Sequence, residues 1–310
     1  MRKRQRGFSL IEVMMVLAIF LIISAAVFEL LNASQIRYTA ERDFLESFQG
    51  ARLAVDLMVR DIHNAGYPPP YTFAGNLGAP PTPATYPVPL VGPNCPPSLT
   101  WTDPSCAPAV LQTRFATGIL GLDAAGNVST TCVVNTTNPG LSTCAVPNPW
   151  RLVLELDIDP ENPIPDPITL LVPQVEWVYY DLRAPVAPET TSTLFRTVSP
   201  KRLGVSPIAN PWNVPFVEEI CQNPNVVVGG ALPVPALNAP ANCGGNNVAV
   251  FTYECDPRMI TAPGVCRAEH IKNVYINLRV QSTRPDIQTR QMRQITVRGA
   301  ASRQYPSRPS

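Results

Sequence analysis

One carboxylate, Glu12, lies in an apolar run from Phe8 to Phe28 that contains no other charged side chain. The run has 21 residues, and about 20 are enough to span the hydrocarbon layer of a membrane. A carboxylate at that depth costs about 2.5 kcal/mol or more. The position of Glu12 therefore indicates a partner group that offsets this cost.

A second set of reactive side chains consists of eight cysteines, all of which follow the apolar run. They are Cys95, Cys106, Cys132, Cys144, Cys221, Cys243, Cys255 and Cys266. An even number of cysteines in an exported chain favours disulfides, and zinc is the competing interpretation. Since there is no CxxC motif and the only histidines are His63 and His270, disulfides are preferred.

The pairing of the cysteines is not determined by their spacing, because eight cysteines allow 105 connectivities. A sequential pairing is the working hypothesis, since each bond would then close a short loop that contains proline or glycine. The pairs would be Cys95–Cys106, Cys132–Cys144, Cys221–Cys243 and Cys255–Cys266.

Catalytic and cofactor chemistry find little support in the sequence. Two histidines give a small supply of general bases for a hydrolase, and no phosphate-binding glycine loop or dinucleotide fingerprint occurs. The acidic segment with Asp157, Asp159, Glu161 and Asp166 departs from the EF-hand spacing and is better explained as a proline-rich turn than as a calcium site. We therefore expect no enzyme activity, no metal and no cofactor.

The C-terminal segment, residues 267–310, is more basic than the rest of the chain. Only Glu269 and Asp286 oppose its nine basic residues, which are Arg267, Lys272, Arg279, Arg284, Arg290, Arg293, Arg298, Arg303 and Arg308. Such an excess could contact DNA phosphates. A solvated strand face or a contact with an acidic neighbouring subunit is the preferred explanation.

The element that must position Glu12 is a long helix. No proline occurs from Phe8 to Ala65, and Asn64-Ala65-Gly66 followed by Pro68 predicts the helix end. A continuous helix over this range would be roughly 87 Å long. Its only glycine, Gly50, is either a local weak point, costing about 1 kcal/mol relative to alanine, or a place where the body approaches closely.

The second half of the helix carries an apolar stripe at alternating steps of three and four residues. The stripe consists of Phe44, Phe48, Ala51, Val55, Met58 and Ile62. Such a stripe must be buried against a globular body.

The body is predicted to be rich in β-strands. Alternation from Leu152 to Ile158 predicts a half-buried strand with Glu155 and Asp157 on the polar face, and further strands are predicted around 170–172, 175–182, 248–253 and 271–281. Ile295 and Val297 predict the last strand of the body. With no second long helix, the fold class is α+β, in which the helix packs on a mainly antiparallel sheet with proline-rich, disulfide-closed loops.

Three interpretations of the N-terminus agree that the basic leader stays cytoplasmic and the rest is exported. A secretory signal could be cleaved after Ser24-Ala25-Ala26, but its core would have no use for Glu12. A plain membrane anchor is the second interpretation. The third rests on the register of Gly7-Phe8-Ser9-Leu10-Ile11-Glu12-Val13 with the apolar run, which resembles the start of type IV pilins and their secretion-system relatives.

The resemblance implies that a prepilin peptidase cuts between Gly7 and Phe8 and that the Phe8 amine is methylated. Glu12 would then pair with the Phe8 amine of a neighbouring subunit during assembly. The other implied partners are the major pilin, further minor pilins and inner-membrane assembly proteins. The protein would first be a single-pass protein of the inner membrane with a periplasmic body, and later part of the pilus at the cell surface.

Two features favour a minor pilin or a pseudopilin over a major pilin: the membrane half lacks proline, and the chain is long. The helix end, from Leu57 to Ile62 with Ala65-Gly66-Tyr67, resembles that of the PilW type of minor pilin, and Leu170–Tyr180 with Leu194-Phe195-Arg196 resembles its central strands. The J-type pseudopilin of type II secretion has a similar plan.

The resulting domain plan has five parts. They are a leader (1–7), a transmembrane or filament-core half of the helix (8–28), an amphipathic half (29–66), a proline-rich connection (67–108) and an exported β-rich body (109–310).

Overall fold

The computed structural model describes residues 9–67, 116–158, 175–186, 189–201, 206–208, 214–232, 243–286 and 291–304. The chain divides into two compact units. One contains Met1–Glu46 with Ser282–Arg293, and the other contains Ser47–Gln281 with Gln294–Ser310.

Within the described ranges, the chain forms one α-helix and eleven strands. Helix α1 is Leu10–Asn64. The strands are β1 Val133–Asn135, β2 Arg151–Leu156, β3 Glu176–Arg183, β4 Ser192–Pro200, β5 Val214–Ile220, β6 Ala231–Leu232, β7 Gly245–Asn246, β8 Phe251–Cys255, β9 Val265–Arg267, β10 Ile271–Pro285 and β11 Met292–Ser302.

The main sheet has seven strands in the order β11-β10-β5-β4-β3-β2, with β8 also paired to β10. Two small sheets pair β1 with β9 and β6 with β7. Every strand pair whose register is described is antiparallel. The α+β prediction is therefore confirmed, with α1 packed on an antiparallel sheet.

Helix α1 ends where the sequence predicts. The backbone N–H of Tyr67 donates to Asn64 O at 3.1 Å, and that of Gly66 (φ 92°) donates to Glu155 O at 2.9 Å. The left-handed conformation is accessible to glycine without steric cost. The C-terminal end of α1 is therefore hydrogen-bonded directly to β2.

Four of the six stripe residues on α1 lie in the main core. Ala51, Val55, Met58 and Ile62 are all at most 3% exposed. They share one apolar cluster with residues from several strands of the sheet, which are Leu152, Leu154, Leu156, Val178, Tyr180, Leu182, Leu194, Val274, Ile276, Leu278 and Val280. Phe44 and Phe48, the first two residues of the stripe, are only half-buried and lie outside this cluster, so the predicted burial holds from Ala51 onward.

Strand β2 differs from its prediction, because it is buried on both faces. Residues 118–122 lie along the edge of β2 that does not pair with β3, with Leu120 N–H donating to Val153 O at 3.0 Å and Glu155 N–H to Gly118 O at 2.7 Å. A second apolar cluster contains Leu120, Leu122, Val146, Val153, Trp177 and Tyr179. The alternation of residues within β2 cannot predict this burial, because the residues that pack on the second face come from other segments of the chain.

Glu155 is consequently buried at 2% exposure, contrary to its predicted place on a polar face. Its carboxylate accepts hydrogen bonds from Thr117 N (2.9 Å), Thr117 Oγ1 (2.8 Å), Trp177 Nε1 (3.0 Å) and Lys201 Nζ (3.1 Å). These donors offset the desolvation of the charge, as buried carboxylates require. Asp157 is also buried, at 7% exposure.

Gly50 does not mark a close approach of the body to the helix. No heavy atom other than the helix's own backbone lies within 4 Å of the position that a Cβ would take there. The interpretation of Gly50 as a contact point is therefore wrong, while its role as a local weak point stays a prediction.

Candidate functional site: the apolar half of helix α1

The first half of α1 presents apolar side chains on all sides. Leu10 is 82% exposed and Phe28 is 72% exposed, with comparable exposure at most apolar positions between them. Soluble proteins rarely leave so large a continuous apolar surface in water. Within the described residues, α1 is the one helix long and apolar enough to cross a membrane. This surface therefore requires lipid or other apolar helices around it.

Glu12 lies in the first turn of α1 and is exposed. The turn is closed by backbone hydrogen bonds from Glu12 N and Val13 N to Ser9 O, at 3.0 and 3.2 Å. A carboxylate here interacts favourably with the partial positive charge of the helix N-terminus. Its side chain is thus available to a group outside the chain. Gly7 and Phe8, predicted as the cleavage and methylation positions, lie outside the described residues.

The second half of α1 is joined to the body by a buried ionic contact. The Asp61 side chain is 3% exposed and that of Arg196 is 18% exposed. Asp61 Oδ2 accepts hydrogen bonds from Arg196 Nη2 at 2.8 Å and from Tyr180 Oη at 2.7 Å. Burial, followed by the nearby Asp61 carboxylate, raises the pKa of Tyr180 well above its usual value, so the phenol stays protonated and donates.

This contact was not predicted from the sequence. A signal for it exists, because Asp61 lies three residues after Met58 and directly before Ile62, on the buried side of α1. A charged residue at such a position predicts a buried partner. The identity of that partner could not be inferred, since Arg196 lies in β4, 135 residues away.

The predicted cysteine sites are partly described. Disulfides join Cys132 to Cys144, Cys221 to Cys243 and Cys255 to Cys266. These are three of the four sequential pairs hypothesised from the sequence. Cys95 and Cys106 lie outside the described residues.

The basic C-terminal segment offers less free charge than its composition indicates. Arg303 is buried, and burial lowers its pKa to about 10. Arg267 pairs with Glu269 at 3.3 Å, and Arg293 Nε donates to Asp286 at 2.9 Å. Arg284, Arg290 and Arg308 have no described side chains. These contacts reduce the charge available to DNA phosphates.

In the part of the chain that the structure describes, no group of three or more His, Cys, Asp or Glu side chains is placed to hold a metal ion. Of the acidic segment discussed as a calcium site, only Asp157 is described; Asp159, Glu161 and Asp166 lie outside the described residues.

Comparison with known proteins gives one match. Residues 2–28 match the family model of the prokaryotic N-terminal methylation motif. No curated protein and no solved structure matches the chain. The matched segment includes Gly7, Phe8, Glu12 and the exposed apolar half of α1. The motif, together with a helix that can cross a membrane, supports a type IV pilin-like protein, either a pilin or a pseudopilin.

Proposed function

We propose that this protein is a minor pilin of the PilW type, a structural subunit that acts in the initiation or at the tip of a type IV pilus. The observation that carries the proposal is the methylation motif at residues 2–28, which continues into a helix whose apolar half is exposed. The family that carries this motif is structural rather than catalytic, which agrees with an assembly role.

Processing is the first step of the proposed mechanism. Prepilin peptidase cleaves between Gly7 and Phe8 in the inner membrane, and the new Phe8 amine is methylated. Removal of the leader takes away Arg2, Lys3, Arg4 and Arg6 and leaves 20 basic against 23 acidic side chains. The mature chain is then weakly acidic, and its body lies in the periplasm.

Assembly is the second step. The apolar half of α1 leaves the lipid and packs among the helices of the major pilin and other minor pilins, guided by inner-membrane assembly proteins. Glu12 pairs with the methylated Phe8 amine of a neighbouring subunit. Because an isolated carboxylate in an apolar environment is costly, only the register that brings both charges together is favourable. The buried Asp61–Arg196 contact holds the body to the helix.

A pseudopilin of the J type from type II secretion would use the same N-terminal chemistry. The pilus is preferred because of the chain length, the number of cysteines and the helix end from Leu57 to Tyr67. A membrane-anchored exported binding protein is the alternative from another class. In that case the apolar half of α1 would serve only as a membrane anchor, and Glu12 would have no role in subunit pairing.

The deciding experiment is Glu12→Val, with Glu41→Val as the matched control, because Glu41 is another exposed carboxylate on α1. We expect Glu12→Val to keep membrane insertion, measured by alkaline extraction, and to lose incorporation into sheared filaments. Glu41→Val should keep both. Filament incorporation of Glu12→Val at the wild-type level would refute the assembly role. Mass spectrometry of the N-terminus should find methylated Phe8 as the first residue and not Val27.

A further inference from the structure

The six described cysteines of the body are joined in the order in which they occur along the chain. The bonds are Cys132–Cys144, Cys221–Cys243 and Cys255–Cys266. Six cysteines can pair in 15 ways, and in only one of these ways is each pair made of consecutive cysteines. The native connectivity is therefore the one that forms if each pair closes before the next pair becomes available.

The cysteines are inaccessible once the body has folded. Their exposure ranges from 0% at Cys266 to 8% at Cys255. A disulfide forms when a thiolate attacks another disulfide and passes through a mixed disulfide, so an oxidising protein has to contact the sulfur atom directly. The bonds must therefore form while the loops are still open, before the body has completed its fold.

The completed fold brings cysteines of different pairs into one region. Cys132, Cys144, Cys255 and Cys266 all belong to the main apolar cluster. Cys266 in β9 lies opposite Val134 in β1, and Val134 is two residues from Cys132. Diagonal neighbours on paired strands are about 7–8 Å apart, so a small backbone movement brings them within disulfide range. Free thiols present when β1 meets β9 could therefore form crossed bonds.

The order of synthesis keeps these two pairs apart in time. The basic leader and the apolar run are at the N-terminus, so the cysteines leave the membrane in sequence order and Cys144 arrives long before Cys255. At a synthesis rate of about 5–20 residues per second, several seconds separate these two arrivals. The bonded cysteines are only 12, 22 and 11 residues apart, and short loops close with the smallest loss of entropy.

We propose that the body is a substrate of a periplasmic thiol oxidase, a protein that carries a reactive disulfide, and that its native bonds form without a disulfide isomerase. Oxidation by this partner is then a step that precedes folding of the body and assembly of the subunit. The proposal rests on the part of the proposed function that places the body in the periplasm, where disulfides persist.

Each bond forms in two exchange steps. For the first described pair, the thiolate of Cys132 attacks the disulfide of the oxidase, which gives a mixed disulfide and releases one oxidase thiol. The thiolate of Cys144 then attacks the Cys132 sulfur, which gives the native bond and releases the second oxidase thiol. Two electrons and two protons thus pass from the cysteine pair to the oxidase, which becomes a dithiol.

The test compares wild-type cells with cells that lack the isomerase and with cells that lack the oxidase. Free thiols are alkylated at harvest, and non-reducing peptide mapping of the full chain measures the yield of the three bonds. We expect equal yields in the wild-type and isomerase-deficient cells, and loss of the bonds without the oxidase.

Three outcomes would contradict this expectation. Crossed bonds such as Cys132–Cys266 in the isomerase-deficient cells overturn the proposal, and so do undiminished native bonds without the oxidase. Both leave the filament role in place. Reduced cysteines in wild-type cells overturn the periplasmic location of the body, and with it both the proposed function and this inference.

A variant separates the order of the chain from proximity in the fold. Cys144→Ser leaves the Cys132 thiol without its native partner. In isomerase-deficient cells we expect Cys132 in an adduct with the oxidase or bonded to Cys221, the next described cysteine along the chain. A bond from Cys132 to Cys266, its neighbour in the folded sheet, overturns the proposal.

The matched control replaces both Cys132 and Cys144 by serine, so that no unpaired thiol remains at this loop. The bonds Cys221–Cys243 and Cys255–Cys266 should then form with the wild-type yield in isomerase-deficient cells. Their loss in this control would also overturn the proposal, because the pairs would not close independently of one another.

Discussion

At the scale of single residues, the body depends on charges that are buried and paired. Asp61 on α1 meets Arg196 on β4 and Tyr180 on β3. Desolvating two charges is costly, so such a pair adds little stability compared with apolar residues of similar size. Removing only one member is different, because the other charge is then buried without compensation. The contact therefore fixes which part of the sheet receives the end of α1.

This predicts a large effect for Asp61→Ala. The substitution leaves Arg196, whose side chain is only 18% exposed, without its carboxylate, and the free energy of unfolding should fall by about 3–5 kcal/mol. Chemical denaturation of the detergent-solubilised full chain measures it. The matched control is Asp56→Ala, one and a half turns earlier and exposed, which should change stability by less than about 0.5 kcal/mol. Equal losses in both variants would contradict the role of the buried pair.

At the scale of elements, periodicity was sufficient for some parts of the fold and insufficient for others. The stripe of α1, the end of α1 at Gly66, and the strands that became β2, β3, β8, β10 and β11 could be predicted because each pattern is local. Strands β1, β6, β7 and β9 have two or three residues each, which is too short for a period to show. Their pairing depends on segments far away in the chain.

Strand β5 was missed for a different reason. It contains Pro215, Glu218 and Glu219, and Glu219 has a positive φ of 57°. Proline and charged residues lower the strand propensity of a segment. Its pairing with β4 also shifts register between Ser192 and Leu194 and again before Phe195. Such irregularity follows from contacts between strands and leaves no alternation in the sequence.

The packing of β11 against α1 gives a prediction at this scale. A Cβ at Gly299 would lie 2.6 Å from Val55 Cγ1 and 3.1 Å from Val59 Cγ2. Alanine is normally better than glycine inside a strand by about 0.5–1 kcal/mol, so Gly299→Ala would stabilise the protein if space were available. Because Val55 is buried at 3% exposure and cannot move freely, we expect a loss of about 1–3 kcal/mol instead.

The sign of the change therefore decides whether β11 and α1 are in close contact. Thermal unfolding of the full chain gives the sign, and Ala300→Val is the control, since Ala300 is the next residue on the exposed face of β11. That control should be close to neutral. A higher unfolding temperature for Gly299→Ala would show that the strand does not approach the helix as described.

At the scale of the whole molecule, the N-terminal methylation motif could be recognised from the sequence because its parts are contiguous: Gly7, Phe8, Glu12 and the apolar run follow one another. The contacts of the body were not accessible. The side chain of Asn247, for example, bonds to the backbone of Asn223 and Val226, and 24 residues separate Asn247 from Asn223. The sequence therefore indicates a pilin-like N-terminal motif, whereas the long-range contacts of the body require the fold.

The disulfide pattern predicts that the body unfolds locally, one loop at a time. Each described bond joins neighbouring cysteines, with separations of 12, 22 and 11 residues, so each closes its own loop and none links distant parts of the chain. Replacing both Cys132 and Cys144 by serine should cost about 3 kcal/mol and should increase hydrogen exchange mainly in residues 118–146, which cover β2. Replacing Cys221 and Cys243 should instead increase exchange in residues 223–232 and 245–248. Because the two sites share no loop, the losses should add. If both variants instead raise exchange uniformly across the sheet and α1, the loops are not independent, and the disulfides support the body as a single cooperative unit.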